Sequence, residues 1–264
     1  MIFNKYLNWE TKIMKKITVI CIATLFIGLF LCQQSSFAKI DPANIIGIWL
    51  LDDDSGKIAK DSSENGFDGQ IKGTKLTDGK FGKALNFSPN DTVNITLGKG
   101  SITNKVTFIL WLNFNDLAGQ QNYLSLYDQS TNRYVPYKTI ANELHFWSNL
   151  WDVPSTVFVS AKTWYHVANV YDGAKVSIYV NGELKNSQAG VFTLLNQQET
   201  AWLATDNGGL VSNCIQDDVG LFNVPLAEED IKSIMNNGIL RAVGGAAVAA
   251  QGKLPSLWSE LKNQ

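Results

Sequence analysis

The stretch WYHVANVYDGAKVSIYVNGELKN, residues 164–186, decides the fold. Two turn dipeptides, Asp172-Gly173 and Asn181-Gly182, divide it into three short runs. Both suit the positive φ angles that tight hairpins demand, so the runs read as a three-stranded antiparallel meander. In the middle run Val176, Ile178 and Val180 share one parity, and Ser177 and Tyr179 the other. That alternation belongs to a strand with one buried face.

Segments of the same kind recur on both sides. Residues 45–51, 84–87, 92–97, 106–114, 123–127, 134–140, 143–147, 156–159, 200–205 and 216–222 read as strands. Turn clusters rich in Gly, Asp and Asn fall at 52–56, 61–69, 73 and 78–82. Within 106–114, Val106, Phe108, Leu110 and Leu112 fall on one face and Trp111 on the other. Many short strands, punctuated by turns and almost without helix, predict an all-β antiparallel jelly-roll β-sandwich. One short C-terminal helix follows the last strand. Pro225 precedes it, Glu228, Glu229 and Asp230 suit its positive end, and Gly238 suits its stop. Ile231, Ile234 and Met235 give it one apolar stripe.

The first residues read as an address, not as fold. Lys15 and Lys16 precede the apolar run 17–31, and Ser36-Phe37-Ala38 offers small residues where a signal peptidase reads. We expect a signal peptide over 1–38, starting at Met14, and a mature chain secreted, periplasmic or on the cell surface. The run falls short of the about 20 residues that span a bilayer, so no membrane span is expected in the mature chain. Removing 1–38 leaves 18 basic and 23 acidic residues. An acidic surface speaks against nucleic acid and anionic membranes, which call for basic patches. Cys214 is the one cysteine beyond residue 38, so no intrachain disulfide is possible, and beside Ile215 it reads as a buried thiol. We read 41–240 as one domain and 241–264 as a tail, in which Leu257 and Trp258 are candidates for docking a partner or clamping the surface.

Several blocks carry a family resemblance: GIWLLDD (47–53), DSSENGFDG (61–69), KFGKALNF (80–87), the meander, and QDDVGLFNVPL with the EEDI helix start (216–231). Their order and spacing resemble the laminin G-like, concanavalin A-like jelly-roll domain of secreted bacterial proteins. Gly220 and Gln216 depart from the usual pattern, as does the absence of a cysteine pair. The resemblance implies a fold that serves lectins, glucanases and adhesion modules alike. It also implies a structural calcium near Asp217, whose position matches a metal-binding acid of relatives.

Residue patterns bear on these implied roles. Glucanases of this resemblance carry an E-x-D-x-E set, since two carboxylates must flank a glycosidic bond at about 5–10 Å. No segment here alternates acids along a strand. The clusters 52–54, 217–218 and 228–230 lie at turns, strand ends or the helix start. The chain is therefore expected to be no enzyme, and glycoside hydrolase is the least supported reading. His166, inside W-Y-H-V-A, reads as a packed, hydrogen-bonded side chain. Asp217 has the parity of Val219 and Leu221, and a carboxylate turned inward needs compensation. With Asp52, at the end of a first strand expected to neighbour the last, and with carbonyls of the turn 88–91, it forms a candidate calcium site. The alternative is a capped strand end with solvated acids.

The binding case rests on aromatics. Leu144 and Phe146 share the inner parity, leaving His145 and Trp147 outside. Leu124 and Leu126 point in, and Tyr123, Ser125 and Tyr127 out; Trp151 follows in a loop. Flat amphipathic rings stack on sugar C–H faces while polar neighbours read hydroxyls. Tyr127, His145, Trp147 and Trp151 are thus the candidate ligand-binding residues. The expected function is a non-catalytic, carbohydrate-binding module whose partner is a glycan or cell-surface polysaccharide. A protein-binding, adhesive or structural surface module is the alternative.

Overall fold

The computed structural model describes residues 40–53, 56–128, 133–191, 199–206 and 209–244. The expected signal peptide and the tail residues Leu257 and Trp258 lie outside them. The first strands are β1 Ile45–Trp49, β2 Ile58–Ala59, β3 Gly69–Lys72, β4 Lys75–Asp78, β5 Lys83–Phe87 and β6 Thr92–Thr96. Then come β7 Val106–Phe114, β8 Gln121–Asn122, β9 Leu124–Asp128, β10 Arg133–Lys138, β11 Glu143–Ser148 and β12 Asp152–Phe158. The chain continues with β13 Trp164–Tyr171, β14 Lys175–Val180, β15 Glu183–Ala189, β16 Glu199–Leu203 and β17 Cys214–Phe222. Helices α1 (Glu228–Asn237) and α2 (Ile239–Ala242) follow.

The strands form two antiparallel sheets. One has eight strands in the order β15-β14-β13-β7-β17-β5-β4, with β1 also on β17. The other has nine, β12-β11-β10-β9-β16-β6-β3-β2, with β8 on β10. First and last strands are neighbours, as expected: Trp49 stands opposite Val219. The meander forms as read, β13 on β14 on β15. Asn181 and Gly182 take φ of 52° and 78°, the pair a tight turn needs. The other turn works differently. There only Gly173 is left-handed, at 102°, and Asp172 acts through Oδ1, which accepts the N–H of Ala174 and Lys175.

Inward residues of both sheets make the main core. Phe108, Leu110 and Leu112 of β7 meet Val176, Ile178 and Val180 of β14, and, from the other sheet, Leu124, Leu126, Leu144 and Phe146. A second, smaller core lies on the outer side of the eight-stranded sheet. There Ile231 and Ile234 of α1 cover Ile109, Ala168 and Phe222, and Ala242 and Val243, read as tail, join them. The helix begins with three acids and ends at Gly238, whose φ is 80°.

Four strands escaped the sequence reading, and two of them, β2 and β8, are only two residues long. Polar β3, next to the edge strand β2, and β4, itself at an edge, have mostly exposed side chains, so no alternation marks them. The DSSENGFDG loop is explained by its bonds. Asp61 accepts the N–H of Ile48, Ser63 and Phe67, while Asn65 Nδ2 donates to the carbonyls of Ile45 and Ile46. The loop thus covers β1 and gives Trp49 Nε1 an acceptor in the Phe67 carbonyl.

Candidate functional site

The outer face of the nine-stranded sheet gathers the aromatic residues in rows that cross the strands. Facing residues of antiparallel neighbours point to the same side. Trp147 faces Val135 on β10 and Asp152 on β12. His145 faces Tyr137 and Pro154 in the next row, and Tyr127 faces Arg133 and Thr200 in the row on the other side. Tyr127, Trp147 and His145 therefore occupy three successive rows, about 7 Å apart along the strands.

His145 is held from both edges. Its Nδ1 donates to Asp152 Oδ1 at 2.9 Å, and Glu143 Oε2 stands 3.4 Å from Nε2. Tyr137 donates its hydroxyl to Asp152 Oδ2 at 2.9 Å. Burial, and then that bond, push the Tyr137 hydroxyl well above its usual range, so it stays a donor. Glu143 is positioned in turn by Oε1, which accepts the Thr156 N–H at 2.8 Å. Thr156 has φ 64°, a strained conformation for a β-branched residue, where the β11–β12 register shifts. Tyr137, Asp152 and Glu143 were not singled out from sequence. Pairing between strands, not spacing along one, brings them to His145.

Trp151 is not on this face. The turn after β11 closes by a bond from the Ser148 N–H to the Trp151 carbonyl, which carries the indole over the sheet's end. Its ring packs 5.0 Å from Phe146 and 6.1 Å from Tyr134, both core residues, and its Nε1 donates to the Val191 carbonyl at 2.8 Å. Tyr123 also departs from its expected parity. It sits between β8 and β9, outside any strand, and is fully buried 6.2 Å from Phe114.

The acids of the candidate metal site meet at one turn, although not as expected. A bulge interrupts the β17–β7 pairing between Asp217 and Gly220, with Asp218 at φ 46°. A bulge reverses the parity beyond it. Asp217 therefore faces Trp111 on the outer side, while Val219 and Leu221 enter the main core. Asp217 Oδ2 accepts the N–H of Lys80 and Phe81 at 2.7 and 2.8 Å, and Asp52 Oδ1 accepts that of Lys83 at 2.5 Å. A Cβ at Gly79 would come within 2.5 Å of Asp217 Oδ2, which is why a glycine stands there. In the third expected contributor, the turn 88–91, the Ser88 carbonyl already accepts the Asp91 N–H.

These oxygens meet amide donors, whereas calcium takes six to eight oxygens. Among the described residues no group of three or more His, Cys, Asp or Glu is placed to share a metal. A calcium bridging Asp52 and Asp217 with the 88–91 carbonyls does not fit this arrangement. The points of fit are Asp217 Oδ1 and Asp218 Oδ1, both buried without a hydrogen-bond partner among the described residues. Burial pushes both Asp217 and Asp218 upward, Asp217 further because Asp218 lies beside it. His166 is packed as expected, its ring tilted 5.0 Å from Trp111, but neither ring nitrogen has a partner among the described residues. Burial lowers it to about 3, so it is neutral.

The fold and the blocks that build it match a known family. The family model for the concanavalin A-like lectin/glucanase superfamily, laminin G type, matches residues 88–232. The chain belongs to this superfamily. Among solved structures it is similar to domain 4 of AbnA, an extracellular GH43 arabinanase from Geobacillus stearothermophilus, in complex with arabinotriose. The TM-score is 0.63 at 20% identity, over 73% of this chain and 98% of that one. The binding domain of Paraclostridial Mosquitocidal Protein 1 is similar at TM-score 0.59 and 14% identity, over 74% of this chain and 52% of that one. A Trypanosoma rangeli sialidase is similar at TM-score 0.58 and 13% identity, over 73% of this chain and 32% of that one. The chain thus spans about a third of the sialidase's length. No curated protein matches the chain in sequence. Superfamily membership covers hydrolases and binding modules alike, so function has to be argued from the face itself. Among the described residues no helix is long and apolar enough to cross a membrane.

Proposed function

We propose that the outer face of the nine-stranded sheet binds carbohydrate and does not cleave it. The observation that carries this reading is the Trp147 ring, half-buried on the sheet, beside the ordered polar set Tyr137–Asp152–His145–Glu143. A ring supplies a surface for a sugar's C–H face, and fixed carboxylate and imidazole groups read its hydroxyls. The same set speaks against hydrolysis. Glu143 and Asp152 do converge from separate strands, but the His145 imidazole fills the space between them where a scissile bond would have to lie. The arabinotriose complex of the arabinanase domain supports the class of ligand.

Trp147→Ala tests the reading in calorimetric titrations with neutral oligosaccharides. Loss of one stacked ring costs about 1–3 kcal/mol by analogy with base stacking, roughly five- to a hundredfold in Kd. Unchanged affinity in a folded variant would move the assignment to a protein-binding or structural surface module. Sugar release by the wild type would restore the hydrolase. We also propose that calcium binds at Asp217, supported by the unpartnered buried oxygens Asp217 Oδ1 and Asp218 Oδ1. Secretion through cleavage after Ala38 belongs to the same proposal, as the setting in which such a module meets polysaccharide.

A further inference from the structure

The β11–β12 hairpin carries a second aromatic ring on the Trp147 face. Phe158, at the end of β12, stands opposite Glu143 on β11. Val157 and Val159, on either side of it, pack on the main core, so its ring points to the outer face with Glu143, His145 and Trp147. At 63% it is the one exposed aromatic ring among the described residues. The core does not need that ring, since Val157 and Val159 close it there. An exposed apolar side chain on an edge strand is also a liability, because it invites pairing with another chain.

The register shows how the ring arrives at this place. While β11 advances two residues from Glu143 to His145, β12 advances four, from Pro154 to Phe158. The excess is absorbed where Thr156 takes φ of 64°, and Glu143 Oε1 holds that turn by accepting the Thr156 N–H. Bulges re-aim side chains, and strained backbone gathers at functional sites.

The path from Trp147 to Phe158 is open. It runs along the hairpin over His145, Glu143, Asp152, Pro154 and Thr156, none of them buried. The Asp152 side chain is 41% exposed, and those of Glu143 and His145 are 19% and 14%. Four residues of strand separate Trp147 from Glu143, and Phe158 lies one strand across from Glu143, so the two rings stand about 14 Å apart. That is more than one sugar ring spans. Between them, Asp152 holds His145 and Tyr137, Glu143 holds the Thr156 N–H, and both carboxylates keep acceptor capacity to spare.

We infer that Phe158 is a second stacking subsite, and that the ligand is a linear oligosaccharide laid along the hairpin from Trp147 to Phe158. The inference rests on the carbohydrate reading of the Trp147 face and names its ligand as a chain of sugars, not a terminal unit. The units at either end stack their C–H faces on the two rings. Hydroxyls of the part between donate to Asp152 and Glu143.

The test is a ladder of neutral arabino- and gluco-oligosaccharides, from monosaccharide to hexasaccharide, titrated into the purified protein and its variants. Affinity in the wild type should rise with chain length until the ligand reaches Phe158, and then level. Phe158→Ala should remove that rise, weakening the longest ligands about five- to a hundredfold and leaving the shortest unchanged. Phe158→Trp should keep it, and Trp147→Ala should weaken every length. Because the ring is exposed, its truncation leaves the fold in place, which an unchanged melting temperature checks. Affinity independent of chain length, or unmoved in Phe158→Ala, overturns the second subsite while the Trp147 platform stands. Unmoved affinity together with lost self-association in sedimentation would assign the ring to a contact between copies instead. Absence of binding at every length overturns both readings.

Discussion

At the scale of the residue, Asp217 shows how one backbone angle redirects a side chain. Its position in the sequence marks it as a functional acid, and its parity with Val219 and Leu221 points it inward. The left-handed Asp218 turns it outward onto the Lys80 and Phe81 amides. No sequence pattern announces that bulge, because Asp218 is among the few residue types that tolerate such a φ without advertising it. The raised pKa values fix the sign of a pH effect. Between the ordinary carboxylate range and the elevated native values, the folded state holds protons that the unfolded state has released. Stability therefore falls as pH rises through that interval. Asp217→Asn keeps an acceptor for the two amides and removes the charge. Its unfolding free energy, followed by urea titration from pH 5 to 9, should fall less steeply than the wild type's; parallel curves would dismiss the buried charge as the cause. Calcium at Oδ1 would instead favour the ionised carboxylate. At a hundredfold excess over Kd it would add about 2.7 kcal/mol, so a chelator should lower the melting temperature of the wild type and not of Asp217→Asn. A chelator without effect on the wild type ends the calcium proposal.

At the scale of the element, the β11–β12 hairpin carries both the candidate site and its main surprise. Alternation in Glu143–Ser148 placed His145 and Trp147 outside and Leu144 and Phe146 inside, and so it is. Trp151, just past the strand, obeys the turn instead and packs against the core. Trp151→Ala should consequently behave as a stability variant, losing toward about 3 kcal/mol while a folded fraction keeps wild-type affinity for glycans. Weaker binding at unchanged stability would return Trp151 to the binding face. The same hairpin explains why the polar half of the site was illegible. β12 begins at Asp152 and contains Pro154, which the sheet tolerates because β12 is an edge strand. Reading a strand only from Thr156 onward hides the register that sets Asp152 beside Trp147. Phe158 is the opposite case. Val157 and Val159 flank it, so its outward direction was written in the sequence, but only cross-strand pairing puts it opposite Glu143.

At the scale of the whole molecule, two sheets and one helix were legible because burial on a single face leaves a period in the sequence. What was not legible is the assembly of one face from residues 70–202, which depends on strand order. That face also has a charge, and the charge makes a last expectation. Asp152 lies beside Trp147 in its own row and Glu143 two rows off, while the cations placed on the same side of the sheet, Arg133 and Lys72, each stand one row off the Trp147 row and on other strands. Without residues 1–38 the chain carries more acids than bases, so the distant field adds to the local one. A carboxylated glycan approaching Trp147 meets like charge, and a neutral one meets only hydrogen-bonding groups. Trigalacturonate should therefore bind more weakly than a neutral trisaccharide at low salt, and the gap should narrow at 0.15 M salt, where charges beyond about 8 Å are screened. Glu143→Gln with Asp152→Asn preserves the acceptors for Thr156 and His145 and removes both charges, so it should narrow the gap further. Equal or tighter binding of the uronate by the wild type would show that Arg133 and Lys72 dominate the face, and that the ligand is an acidic polysaccharide.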